Sequence, residues 1–154
     1  SQAAAGQPLV GDSRNLVLSP VVIAMWKPMA EALGWGQKPL GWQDIIAVAQ
    51  NPKGWEAFGH PEWGSVKLGH THPEYSNSGL IAVLAEICAA TGKQRGLTVE
   101  DLQKPETAEY LRKIERAIVH YGSSTGFFGR KMFANGPTYM SAAGLSIVLE
   151  HELP

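Results

Sequence analysis

At 154 residues the chain has the size of one domain, and 44% hydrophobic residues suffice for a core. No apolar run reaches the roughly 18 residues of a membrane span, and a single cysteine excludes an intrachain disulfide framework or a Cys-rich zinc module. Thirteen Lys+Arg against 14 Asp+Glu leave a formal charge of −1, which offers no footprint for a phosphate backbone and excludes nucleic acid from the expected partners.

Residues 1–15 are small, polar and Gly/Pro-punctuated, a lead-in with little core content. Neither end reads as a natural terminus, so the expectation is a processed chain or an excised piece whose targeting signal is out of view. Leu16 to Trp26 is a near-continuous β-branched run, suited to a strand buried on both faces. Pro20 cannot donate to a ladder, so the strand should bend there, as a hinge would. Pro28 to Leu33 reads as a short helix closed by Gly34, and Trp42, Ile45, Ile46 and Ala49 mark a second helix ended by Asn51-Pro52. Gly54 to Phe58 adds a helical turn, and Val66 to Thr71 a short strand.

A polar loop from Thr71 to Gly79 follows. Leu80, Ile81, Leu84, Ile87 and Cys88 then line one face of a helix that Thr91-Gly92 terminates. Thr98-x-x-Asp101 opens a further helical stretch as a capping-box variant. Pro105 begins what reads as the longest helix, with Leu111, Ile114, Ile118 and Tyr121 on one stripe and Gly122 as its stop. Ser123 to Gly129 reads as a flexible connector whose Phe127 and Phe128 pack under the sheet. Lys131 to Ala134 is weakly helical, and Met140 to Leu149 closes the chain as strand. Alternation of this kind predicts an α/β fold around a small, mainly parallel sheet flanked by helices.

Ligands on such sheets bind beyond the carboxyl ends of strands, against helix N-termini. That singles out the Thr71–Gly79 loop: free N–H groups and the helix dipole attract an oxyanion, and Thr71, Ser76 and Ser78 add hydroxyls. The plainer alternative is that Ser76 or Ser78 merely caps the helix. His70-x-His72 on a strand shares one face and, with His60 or Glu74, suggests a metal site; packing histidines are the competing reading. The Gly122–Lys131 stretch lacks the Gly-Lys-Ser/Thr of a P-loop, and no Gly-x-Ser-x-Gly elbow is present. Cys88, on an apolar face, reads as a small inert hydrophobe. Trp42 fits a helix core, whereas Trp26, Trp35 and Trp55 lie beside turns where one could line a cleft.

Four segments in order carry a family likeness: Ser19-Pro20-Val21-Val22-Ile23-Ala24-Met25-Trp26, Gly41-Trp42-x-x-Ile45, Gly69-His70-Thr71-His72-Pro73-x-x-Ser76-x-Ser78-Gly79-Leu80, and Gly136-Pro137-Thr138-Tyr139-Met140-Ser141-Ala142-Ala143. The pattern resembles bacterial extracellular solute-binding proteins of the type 2 periplasmic-binding-protein fold. It is nearest the molybdate-binding-like branch often joined to a von Willebrand factor A domain. The resemblance implies one lobe of a clamshell over residues 16–150, the second lobe, between an outbound crossing at Ser19 to Ala24 and a return at Ala142 to Val148, with 1–15 as lead-in and 151–154 as tail.

Its ligand would sit in an interlobe cleft, which transfers here to Thr71, Tyr75, Ser76, Ser78, Gly79 and Tyr139. Relatives often carry a Tyr-Glu-Asn-like segment in the returning strand, where this chain has Leu145-Ser146-Ile147. The expectation is a non-catalytic domain without cofactor or metal that binds a small-molecule or oxyanion solute together with the first lobe of a parent protein. It would work outside the cytoplasm, at the cell surface or in the periplasm, beside an ABC-type membrane transporter or a von Willebrand factor A domain. An interaction or scaffold module is the alternative, and a metal-dependent enzyme on His60, His70 and His72 the third.

Overall fold

The computed structural model describes residues 14, 20–135 and 147–151. Strand β1 (Val21–Met25) starts directly after Pro20, and Pro28 sits in the first turn of α1 (Lys27–Ala32), where a missing N–H costs nothing. Helix α2 (Trp42–Ala49) opens where the Asp44 carboxylate accepts the Gly41 N–H at 3.0 Å; it buries Trp42, Ile45, Ile46 and Val48. Two 3-10 turns, Gly54–Phe58 and Pro61–Trp63, lead to β2 (Leu68–Thr71), all four of whose residues are buried. Then come α3 (Asn77–Thr91), α4 (Val99–Gln103), α5 (Pro105–Glu115), β3 (Ile118–Gly122), α6 (Thr125–Asn135) and β4 (Ile147–His151).

The fold is mixed α/β. Four strands form one sheet in the order β1-β4-β2-β3. β2 runs parallel to both β3 and β4, whereas β1 and β4 pair antiparallel from Val21↔His151 to Met25↔Ile147. The core gathers Met29, Trp42, Ile45, Val48, Trp55, Leu68, Ala82 and Ile114 between sheet and helices. Each fully buried aliphatic side chain there stabilises the fold by about 1.5–3 kcal/mol.

Besides β1, an antiparallel edge strand with Val22 41% exposed where burial on both faces is expected, three expectations are corrected. The helix begun at Pro105 stops at Glu115, and the 15-residue α3 is longer than its 11 residues. Ala117 N–H closes back on Ile114 O at 2.8 Å, and Leu68 N–H then takes Ala117 O at 3.0 Å, so Ile118 and Tyr121 belong to a strand. A free sheet edge beside β2 outcompetes the 3.6-residue pattern, which the β-branched Ile118-Val119 pair supported least.

Secondly, α3 is turned over relative to its expected apolar face. Leu80, Ile81 and Leu84 are 50%, 45% and 42% exposed, while Ser78, Gly79, Ala82, Glu86 and Ile87 are buried. Ile87 faces inward as expected and Cys88 is half-buried. Thirdly, α6 begins at Thr125, inside the stretch expected to be a connector. There the Phe127 ring stacks on His120 with centroids 5.6 Å apart. The side chain of Phe128 and the segments 15–19 and 136–146 lie outside the described residues, and with them Tyr139 and most of the proposed return crossing.

Candidate functional site

Parallel strands β2 and β3 end side by side, with Thr71 opposite Gly122 and the His72 N–H donating to Gly122 O at 2.9 Å. Each strand turns directly into a helix, α3 after β2 and α6 after β3. Two helix N-termini therefore start from the same edge of the sheet, the place where α/β folds hold ligands. The sequence points to the first. At the second, Ser123-Ser124-Thr125, it offers Ser123 or Ser124 of a connector as hydroxyls that could face a cleft but not a helix start, because the preceding strand carries a helical stripe, although hydroxyls after a glycine are an ordinary helix-start signal.

At the first turn of α3 the hydroxyls form a chain. Thr71 Oγ1 lies 3.3 Å from Ser78 Oγ, and Ser78 Oγ 2.7 Å from Ser76 Oγ. Thr71 and Ser78 are buried; Ser76 is half-buried and forms the outer end. Ser76 occupies the N-cap position, yet its side chain makes no capping hydrogen bond. The capping alternative for Ser76 therefore fails, and the first N–H groups of α3 keep no cap from that hydroxyl. Three hydroxyls carry three protons and two links use two, so one O–H donor is left over.

Gly79 also has a packing part. A Cβ on it would lie 2.5 Å from Thr71 O, 2.8 Å from His72 C and 2.9 Å from His72 O. It is a contact residue that lets α3 press onto the end of β2. Tyr75 is 73% exposed, its ring tilted over His72 at 4.8 Å.

The three histidines of the metal reading are separately engaged. The His60 ring stacks on Trp63 at 3.6 Å and meets Glu62 Oε1 at 2.8 Å. His72 Nδ1 accepts the Glu74 N–H at 3.3 Å. His70 turns into the core, with Nδ1 2.5 Å from Thr71 O and Nε2 3.2 Å from Glu86 Oε1. No group of three potential ligands gathers among the described residues. Glu86 is 3% exposed, a buried acid that the sequence pattern hides because it falls between apolar residues of α3.

Burial raises Glu86 above the usual carboxylate range, although His70 pulls the other way. Burial would lower His70, but the hydrogen bond and charge of Glu86, together with the Thr71 carbonyl and the Glu115 charge, outweigh it, so His70 is raised. Tyr121 donates to Glu115 Oε2 at 2.6 Å and is raised by burial and by that acid. Tyr110 Oη is buried with no hydrogen-bond partner among the described residues, and burial pushes it up to about 12.

A concavity of about 1050 Å³ lies elsewhere, along β1. Val21–Met25, Trp35, Leu40 and Trp42 wall it, so Trp35 is the turn tryptophan that faces a cleft, and none of Thr71, Tyr75, Ser76, Ser78 or Gly79 lines it.

Two curated relatives, the uncharacterized proteins MT1884 and Rv1836c of Mycobacterium tuberculosis (strains CDC 1551 / Oshkosh and ATCC 25618 / H37Rv), are each 30% identical to this chain over 93 residues. That is 60% of this chain, which spans only 13% of either relative's length. No family model matches, and no solved structure matches.

Proposed function

We propose that this chain is a solute-binding lobe of the type 2 periplasmic-binding-protein kind, acting outside the cytoplasm and taking a small anionic solute at the N-terminus of α3. The observation that carries the reading is the Thr71–Ser78–Ser76 hydroxyl chain, which leaves the helix start uncapped by Ser76 and one donor over. An anion at Ser76 would align all three hydroxyls toward it, reinforced by the positive end of the helix dipole. The α6 start on the neighbouring strand adds a second such end at the same edge.

The antiparallel β1–β4 pair supports the reading as well. The outbound and return crossings of a lobe would have to lie side by side and run in opposite directions, and Ala24 faces Val148 in that way. Binding would work by closure, with donors from the first lobe of a parent protein completing the cleft.

Titration calorimetry with sulfate, phosphate, molybdate and small carboxylates tests this. Weak binding to this chain is expected, with Ser76→Ala and Ser78→Ala each removing about 1 kcal/mol, roughly a fivefold loss. Tight binding that ignores both substitutions refutes the assignment. The exposed apolar stripe Leu80, Ile81 and Leu84 favours a second reading, an interaction module. Loss of a partner domain's binding on Leu80→Ser/Leu84→Ser, with no anion bound by the unmodified chain, would select it.

A further inference from the structure

The buried pair behind the hydroxyl chain has a proton count that its geometry dictates. Thr71 O is a carbonyl and only accepts, so its 2.5 Å contact needs a proton on His70 Nδ1. The 3.2 Å gap between His70 Nε2 and Glu86 Oε1 needs a second proton, on one atom or the other. Two protons therefore sit on the pair, as imidazolium facing carboxylate or as Nδ1–H imidazole facing carboxylic acid. Remove one proton and a single N–H must serve two acceptors. The bond to a carboxylate is roughly twice as strong as one to a neutral carbonyl, so the ring keeps Glu86 and releases Thr71.

Thr71 is where that release is felt. Its carbonyl is the atom 2.5 Å from the Cβ position of Gly79, and its Oγ1 is the inner end of the hydroxyl chain. We propose that the His70–Glu86 pair is the positioning element of the β2–α3 turn: doubly protonated it clamps Thr71 and shapes the hydroxyl site, and loss of one proton frees the turn and weakens anion binding there. The clamp stands on the geometry, whereas its effect on an anion rests on the solute-binding reading above.

The neighbours of the pair favour the protonated state. Among the described side chains, Tyr121 approaches from β3 with its ring edge-on to His70 at 5.7 Å, and Glu115 and Tyr110 approach from α5. The Glu115 charge raises both members. The carboxylates of adjoining helices are engaged elsewhere: Asp44 of α2 by Lys38, Asp101 of α4 by Lys93 and Lys104, and Glu100 by Thr98. With both members raised, the folded chain holds more protons than the unfolded one. The clamp is complete below the ordinary histidine value of 6.5 and is lost as pH rises through the raised value of His70.

The test is a pH titration of the whole chain, labelled with ¹⁵N, by NMR from about pH 5 to 9. The expected result is a His70 ring doubly protonated at the acid end and an Nε2–H tautomer at the alkaline end. The amides of Thr71, His72, Ser78 and Gly79 should shift with the same midpoint. Glu86→Gln, whose amide can turn an N–H toward the deprotonated Nε2, should lower the ring midpoint and leave Thr71 held by Nδ1–H, so that the loop amides no longer shift with the ring. Sulfate, used as the probe anion, should bind more weakly above the midpoint, by up to about tenfold per pH unit.

In the unmodified chain, loop amides that ignore the ring, or an Nδ1–H tautomer at the alkaline end, overturn the proposal. If Glu86→Gln does not fold, the titration of the unmodified chain decides by itself. Loop amides that track the ring while sulfate fails to bind at any pH support the clamp and refute the solute reading instead.

Discussion

Gly79→Ala places one methyl group where the structure has no room for it. The new Cβ would stand 2.5 Å from Thr71 O, and ordinary contact begins near 3.4 Å, so α3 and the end of β2 must separate by close to an ångström. All three nearest atoms are backbone, and none can swing aside as a flexible side chain would. Overpacking of this kind costs about 1–3 kcal/mol. Alanine recovers up to about 1 kcal/mol of helix propensity, which leaves a net destabilisation of about 1–2 kcal/mol.

Urea unfolding followed by circular dichroism measures it, with a midpoint shift at unchanged slope as the expected form. The thermal midpoint should fall by roughly 2–8 °C. Gly126→Ala is the matched control: among the described residues its Cβ meets only the end of the Arg130 side chain, at 3.5 Å, so this variant should be neutral or slightly more stable. Equal effects at the two sites, or a stabilised Gly79→Ala, would refute the close-approach argument.

Two further outcomes follow from buried groups. The Asp101 carboxylate, held by Lys93, Lys104 and the Thr98 N–H, lies well below its ordinary value of 3.8. It therefore contributes stability that is present above 3.8 and lost as pH falls through the depressed value. Asp101→Asn should lower the thermal midpoint at neutral pH and flatten the acid limb of the stability curve; an unchanged acid limb counts against the assignment. Trp55, fully buried and edge-on to Trp63 at 5.4 Å and Phe58 at 6.1 Å, should cost about 3–5 kcal/mol on Trp55→Ala, read by the same urea unfolding; a loss under about 1 kcal/mol would mean the cluster does not anchor the core.

Local chemistry is legible where one residue type has one use. Pro28, the Thr98–Asp101 pair and the Gly92 stop, at φ 69°, sit where their backbone preferences put them. The loop from Thr71 to Ser78 is legible because hydroxyls gathered after a strand mark the start of a helix. What fails are choices settled by partners far along the chain. Ile118 and Tyr121 fit a helical stripe until β2 is present to pair with them.

The face of α3 fails for a sharper reason. Its leucines and isoleucines outvote one glutamate in any pattern, yet Glu86 is drawn inward by His70, sixteen positions earlier, and Gly79 by the backbone of Thr71. A buried ionic contact and a close backbone approach leave no periodic trace.

The β1–β4 seam has a mechanical consequence. Val21 and His151 form the outermost rung among the described residues, so tension arriving from before β1 and after β4 would be delivered to that end of the ladder. Antiparallel rungs lie perpendicular to their strands, and a load applied there strains them one at a time instead of all together. Under such pulling the rungs would open in sequence from Val21 inward. The parallel β4–β2 rungs at Ile147 and Val148 lie at the far end, beside Leu68 and the core, and feel the load last.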